Sequence, residues 1–313
     1  MGSTQRETLT PHAAPVPMSS KSARGIPLSR VRDPRAAESV PTIRWTNLAD
    51  LLTAIDTAPG DALRVTDVSP TVFKMLDEDN ERNKIRLSMY TEDTRCLIIT
   101  VVTGTHEIAH IRLNGEVSSQ IRNMGLDDSW ESYGSKSYYF GRRPSGSGGG
   151  GGGGGEKQAD SCGGPVPERR GGYPTLVIES GYSQTLPAVR EKIRSWFTDS
   201  DHQIKIIILA KIFPTERRIL IERWEERPQG GCRQGVSTRW ASTLIPECCQ
   251  TINITETSTI PPAYQIASND MVLDFRLLFL RNPRQGEGDV IITQAWLQRY
   301  ARRVWEEYDA YVE

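Results

Sequence analysis

Apolar residues recur every three or four positions in four segments of the chain, the spacing of one face of an α-helix. The pattern predicts helices at residues 47–57, 105–124, 186–197 and 293–311. A shorter helix is expected to begin at Ser69-Pro70, because proline is tolerated at the first helical position. Gly125 follows the second of the long segments and is a typical residue at a helix C-terminus.

Runs rich in β-branched residues alternate with these helices and predict strands. The clearest are at residues 84–90, 96–102, 175–179, 203–213 and 217–225. Residues 135–140 have the pattern of an edge strand, and residues 272–280 form another apolar element. We expect residues 227–270 to be mostly loop, with one strand near 252–254. Together these elements predict an α+β fold in which helices pack on one mixed sheet.

Two segments lack any such periodicity. Residues 1–40 are rich in Ser, Pro, Ala and Arg, a composition typical of a disordered tail. Residues 145–172 include eight consecutive glycines, Gly148–Gly155, whose backbone has a large conformational entropy to lose. We therefore expect one domain over residues 41–313, interrupted by a flexible insertion at 145–172.

Composition narrows the classes of function. Lys and Arg number 38 against 39 Asp and Glu, a net charge of -1, so contact with nucleic acid would need a local basic patch. The segment at residues 136–143, KSYYFGRR, combines rings and cations in a way that suits single-stranded nucleic acid, although an edge strand explains it equally. The sequence leaves the oligomeric state open.

Three features bear on the compartment. No apolar stretch reaches the ~18 residues of a membrane span. The N-terminal segment lacks the apolar core of a signal peptide, and the five cysteines show no C-x-x-C spacing. The expectation is an intracellular protein, cytoplasmic or nuclear and not secreted, with free thiols.

A metal-binding pattern occurs near the start of the second long helix. His106-Glu107-Ile108-Ala109-His110 fits H-E-x-x-H, which places two histidines on one helical face where they can share a zinc ion, with the glutamate as general base of a peptidase. His106 and His110 also continue an apolar stripe through Leu113 and Val117, so partly buried helix residues are the alternative.

The segment around Glu179 carries the strongest chemical signal. This carboxylate ends an apolar strand and is followed by a Ser/Gly-rich turn and a helix, which is where ligands bind in open α/β sheets. The alternative from pattern alone is a carboxylate that caps the strand in solvent.

Several motifs resemble those of uncharacterised fungal proteins in the PD-(D/E)XK, or restriction-endonuclease-like, nuclease superfamily. The resemblance covers roughly residues 84–310. It rests on short motifs at residues 105–110, 123–130, 133–141, 174–183, 186–197, 203–225, 272–283 and 286–293.

The resemblance implies a metal-assisted phosphodiester hydrolase. In such enzymes two or three carboxylates hold Mg²⁺ or Mn²⁺, which activates an attacking water, and a lysine steadies the charge. Glu179 matches the acid of the third core strand, and Glu107 matches an acidic position on the first core helix. The expected catalytic set is Glu179, Lys192 and Glu107, with Glu179 and Glu107 as metal ligands.

The sequence departs from the family pattern at two positions. Gly181 stands where the lysine is expected. Some members of the superfamily carry that lysine on the following helix, where Lys192 stands here, although a plain solvated lysine is the favoured alternative. No aspartate occurs in residues 135–140, the segment assigned to the second core strand, and Asp127, Asp128 or Glu131 would have to substitute. The sequence thus leaves open a weak phosphodiesterase, a catalytically degenerate relative that binds nucleic acid or another partner, a zinc peptidase, and a non-catalytic interaction protein.

Overall fold

A computed structural model describes residues 40–79, 85–140, 155–228 and 244–312. The helices are α1 (Leu48–Thr57), α2 (Pro70–Glu78), α3 (Gly104–Asn123), α4 (Leu186–Asp199), α5 (Phe275–Phe279) and α6 (Gln294–Val312). The strands are β1 (Thr42–Arg44), β2 (Ala62–Thr66), β3 (Arg86–Thr91), β4 (Cys96–Thr100), β5 (Trp130–Gly134), β6 (Ser137–Phe140), β7 (Gly155–Gln158), β8 (Ser161–Pro165), β9 (Leu176–Gly181), β10 (Ile206–Phe213), β11 (Arg218–Pro228), β12 (Leu244–Thr259), β13 (Pro262–Ala267), β14 (Met271–Leu273) and β15 (Val290–Ile292). The α+β class predicted from the sequence is confirmed at this level.

The first of two large sheets has six strands in the order β1-β2-β4-β3-β7-β6. β1 and β2 run parallel, and the other neighbours are antiparallel. Apolar side chains from α1 and α2, including Leu51, Phe73 and Leu76, pack with Val65, Leu97 and other strand residues in a hydrophobic cluster of their own.

The second sheet has seven strands in the order β13-β12-β11-β10-β9-β8-β5. β9 and β10 run parallel and are joined through α4, while all other pairs are antiparallel. Because side chains alternate along a strand, its two faces have different partners. Ile178 packs with α3 and α6, whereas Val177 packs with α4.

Helix α4 lies between the two sheets. Its residues Ile193 and Trp196 join the cluster on the second sheet, and Tyr138 of the first sheet packs against the same Trp196 ring at 6.0 Å between centroids. The buried Lys157 of β7 contacts Ser195 and Asp199 at the C-terminal end of the helix. The polar residues of α4 that face the first sheet are therefore enclosed by protein.

Three expectations need correction. The expected insertion at 145–172 is wrong for residues 155–165, which form β7 in the first sheet and β8 in the second. The expected loop at 227–270 is wrong for residues 244–267, where β12 and β13 form a long hairpin. The single mixed sheet is replaced by two large sheets and the small β14–β15 pair. The expected tail at residues 1–40 lies almost wholly outside the described residues.

Candidate functional site

Glu179 and Lys192, which the sequence singled out, form a buried pair. Lys192 Nζ lies 2.8 Å from Glu179 Oε2 and donates a second hydrogen bond of 2.8 Å to Ser88 Oγ on β3. Trp196 Nε1 donates to the other carboxylate oxygen of Glu179 at 2.7 Å. Lys192 and Trp196 reach the same strand because i and i+4 share one face of α4. The pair thus connects both sheets through α4.

A second carboxylate, Asp160, lies beside this pair and was missed at the sequence level. It directly precedes β8, and extending the register Ser161↔Ile178 by one residue places it opposite Glu179. Asp160 Oδ2 accepts a 2.8 Å hydrogen bond from the backbone N–H of Ser180. This carboxylate therefore comes after the glycine-rich stretch in the chain.

The assignment of residues 135–140 to the second core strand was wrong. Those residues form β6 and belong to the first sheet. The strand that pairs with β9 on this side is β8, whose sequence is Ser-Cys-Gly-Gly-Pro, with no apolar or β-branched run. Periodicity has nothing to detect in such a segment, and only Asp160 next to an apolar Ala159 offered a signal.

His106 lies between two buried carboxylates. Its Nδ1 is 3.3 Å from Asp61 Oδ2, and its Nε2 is 3.2 Å from Asp160 Oδ1, an ion-pair contact that lacks the alignment of a hydrogen bond. Burial opposes the charged form, yet Asp160 and Asp61 outweigh it and raise the pKa of His106 to about 10. The imidazole is therefore a cation with a proton on each nitrogen at neutral pH.

Asp61 brings the first sheet to this cluster. Its carboxylate accepts hydrogen bonds of 2.8 Å from the backbone N–H groups of Tyr182 and Ser183, and its own N–H donates to Ser183 Oγ at 2.7 Å. Gly181 precedes this turn with φ +157°, and a Cβ there would lie 3.0 Å from Asp61 Oδ2. This close approach is a physical reason for glycine where the family pattern has lysine.

Glu107 and His110 form a separate set of polar contacts that does not include Glu179 or Lys192. His110 Nδ1 lies 2.8 Å from Ser161 Oγ, and its Nε2 lies 3.2 Å from Glu107 Oε1, which also pairs with Arg86 Nη1 at 2.6 Å. Burial tends to raise the pKa of Glu107, but His110 and Arg86 hold it at about 2. The carboxylate of Glu107 is thus paired with Arg86 and His110, and neither of these contacts reaches Glu179.

The alternative zinc ligands that the sequence offered, His106 and His110, lie close together. Ligand atoms of His106, Glu107 and His110 all lie within 4.8 Å of one another. Zinc binds neutral imidazole through a lone pair. The contacts of His106 with Asp61 and Asp160 favour its protonated form, so zinc would have to displace a proton from this residue.

Magnesium or manganese meets a different obstacle at Asp160 and Glu179. Carboxylate oxygens are the right ligand type, but Mg²⁺ dehydrates reluctantly and usually keeps several waters. Both carboxylates are only 3% exposed and Lys192 is 6% exposed, so a hydrated ion has no access in this arrangement. The negative charges of Asp160 and Glu179, which a metal would neutralise, are already compensated by His106 and Lys192.

The other sequence signals lie away from this cluster. Lys136 is above the rings of Tyr133 and Tyr138, at 4.7 and 5.3 Å, and Tyr138 is buried. Two of the three aromatic residues of the KSYYFGRR segment are therefore partly or fully packed inside, and residues 141–143 lie outside the described part of the chain. Among the described helices, none is long and apolar enough to cross a membrane.

Comparison with protein-family models and with curated proteins gave no match for this sequence.

Proposed function

We propose that the protein is a catalytically silent relative of the PD-(D/E)XK nucleases, which acts through its surface and not through phosphodiester chemistry. The element order supports the kinship. In the second sheet, α3 is followed by the antiparallel strands β5, β8 and β9, then by α4 and the parallel strand β10. Between β5 and β8 the chain forms β6 and β7, which belong to the first sheet. Asp160, opposite Glu179, and Lys192 on α4 supply the kinds of side chain that the resemblance implies, which supports the proposal.

The proposal that the protein is catalytically silent rests on one observation, which is that the cluster of charged side chains is buried. Three carboxylates, Asp61, Asp160 and Glu179, face two cations, His106 and Lys192, and all five side chains are at most 6% exposed. Backbone N–H groups and Trp196 supply further hydrogen bonds. Hydrolysis requires the scissile phosphate to touch the metal and the activated water. No polynucleotide can reach a cluster buried in this way.

A weak metal-dependent phosphodiesterase is the second candidate, and Asp160 favours it. The sequence had appeared to lack the second acid, and this residue supplies it opposite Glu179. Activity would require His106 and Lys192 to leave their carboxylates and the first sheet to move away from the cluster. Each such step leaves a buried charge without its partner, which costs several kcal/mol of free energy, on the order of 3–5 kcal/mol.

A metal-dependence assay separates the two candidates. The wild-type protein, Asp160→Asn and Glu179→Gln would be incubated with labelled single- and double-stranded DNA in Mn²⁺, in Mg²⁺ and in EDTA. We expect no cleavage above the EDTA background and no rise in melting temperature on addition of either metal. Glu92→Gln, which changes an exposed acid in the turn after β3, is the matched control. Mn²⁺-dependent cleavage that disappears in Asp160→Asn and Glu179→Gln but persists in the control would establish the phosphodiesterase instead.

A further inference from the structure

Glu156 is a buried acid in the first sheet, outside the cluster described above. It lies on β7, between β3 and β6, where the register places it opposite Tyr90 on one side and Tyr139 on the other. Its side chain is 1% exposed. Within the described part of the protein, neither carboxylate oxygen has a hydrogen-bond partner. An ionised carboxylate is unstable in such a place, because burial without compensation is among the largest penalties in a folded protein.

Among the residues that the structure describes, the groups that face Glu156 carry no positive charge. From β3 comes Tyr90, whose hydroxyl donates to the carbonyl of Val68 at 3.1 Å. From β6 come the hydroxyls of Ser137 and Tyr139, which lie close to the carboxyl without hydrogen bonds of normal geometry. From α2 comes Asp77, whose Oδ2 accepts the Tyr139 hydroxyl proton at 2.6 Å and which makes a further contact of its own.

The neighbouring lysine does not neutralise this acid. Lys157 follows Glu156 on the strand and therefore points to the opposite face of the sheet. There it contacts Ser195 and Asp199 of α4 and lies 5.5 Å from the Trp196 ring. Burial, with a smaller contribution from Asp77, raises the pKa of Glu156 to about 7, against a partial opposing effect of the Ser137 and Tyr139 hydroxyls.

We propose that Glu156 is a proton-operated switch of the first sheet, which packs closely against β6 and α2 when neutral and loosens that contact when ionised. A neutral carboxyl loses little by burial, whereas the anion faces the Asp77 carboxylate across Tyr139. The unfolded chain ionises this group near pH 4.5, and the folded chain ionises it near pH 7. Its contribution to stability is therefore full below pH 4.5 and is lost as the pH rises to 7 and slightly beyond.

The test compares Glu156→Gln with the wild type at pH 5 and at pH 8. Glutamine keeps the shape of the neutral carboxyl and does not ionise. The melting temperature of the variant should therefore rise relative to that of the wild type as the pH rises. We expect the difference between their melting temperatures to grow by roughly 5 to 10 °C between the two pH values. The histidines are common to both proteins, so their titration cancels in the difference. Glu92→Gln, in the exposed turn after β3, should follow the wild type at both pH values.

A direct titration keeps the proposal falsifiable if the Glu156→Gln protein folds poorly. The carboxyl carbon of Glu156 in the wild-type protein would be followed by NMR, and its midpoint should lie near pH 7. Amide exchange at residues 137–140 should accelerate across the same range, beyond the intrinsic effect of pH. A midpoint near 4.5, or a melting-temperature difference that stays constant with pH, would overturn the proposal.

Discussion

At the scale of single residues, the feature that stands out is a cluster of buried charged side chains between the two sheets. Lys192 contacts both Glu179 and Ser88, and His106 contacts both Asp61 and Asp160. Each cation therefore connects an element of the first sheet with one of the second. Buried ion pairs add little net stability compared with apolar groups, but breaking one by removing a single partner is expensive. The main role of the cluster is thus to connect the two sheets, and its net contribution to stability is small.

The first prediction follows from this asymmetry. Lys192→Met leaves the Glu179 carboxylate buried with only Trp196 as donor, so it should lower the free energy of unfolding by about 3–5 kcal/mol. The double variant Lys192→Met/Glu179→Gln removes both charges and should recover most of that loss. Urea unfolding at pH 7 measures all three proteins.

Lys74→Met provides the control for this experiment. That lysine is on the exposed face of α2, with 78% of its side chain accessible, so its loss should change stability by no more than about 0.5 kcal/mol. If Lys192→Met were as stable as this control, the buried pair would not be a structural unit. A double variant no more stable than the single one would also contradict the coupling.

At the scale of secondary-structure elements, the turn after β9 determines which residue type can follow Glu179. The backbone of Gly181 has φ +157° and passes so close to Asp61 that a Cβ there would be 3.0 Å from Oδ2. A lysine at this position, as the nuclease pattern has it, would conflict with the carboxylate that holds the first sheet in place. The lysine of the cluster comes instead from α4, one element later in the chain.

Introducing the lysine of the nuclease pattern should therefore destabilise the folded protein. We predict that Gly181→Lys lowers the free energy of unfolding by about 1–3 kcal/mol, because it adds backbone strain and crowds Asp61. Gln184→Lys adds the same side chain to the same turn at a partly exposed position and should be close to neutral. Differential scanning calorimetry of both variants gives the comparison. A Gly181→Lys protein as stable as Gln184→Lys would mean that the turn adjusts freely.

At the scale of the whole molecule, the two sheets are connected by the segment that the sequence suggested was an insertion. β7 lies between β3 and β6 in the first sheet, and β8 lies between β5 and β9 in the second. Asp160 is located between these two strands. The same short stretch therefore supplies one strand to each sheet and an acid to the cluster that joins them.

Two deletions of equal length test this role. Removal of residues 148–153, six of the eight glycines, should leave the melting temperature within a few degrees, because loop-closure entropy changes slowly with length. Removal of residues 157–162 takes away parts of β7 and β8 together with Asp160, and should abolish cooperative unfolding. Circular dichroism melts of the two proteins decide the matter. Similar melts would mean that β7 and β8 are dispensable.

The sequence by itself determined the elements that carry a strong local signal. The helices α1, α2, α3, α4 and α6 and the strands β9, β10 and β11 lie within a few residues of their predicted positions, because burial of one face imposes a period on the sequence. Glu179 was identified from a carboxylate at a strand end together with the family resemblance, and Lys192 through that resemblance, which places a lysine on the following helix.

Only the tertiary structure decided the rest of the candidate site. β8 has no periodic pattern, since a Ser-Cys-Gly-Gly-Pro strand is held by its neighbours β5 and β9 and not by its own apolar face. Asp61 and Asp160 are 99 positions apart in the chain, and nothing local indicates that both face His106. The closure of the cluster depends on how the first sheet packs against α4 and α3. Charge compensation between distant residues is a property of three-dimensional packing, which a local sequence pattern does not encode.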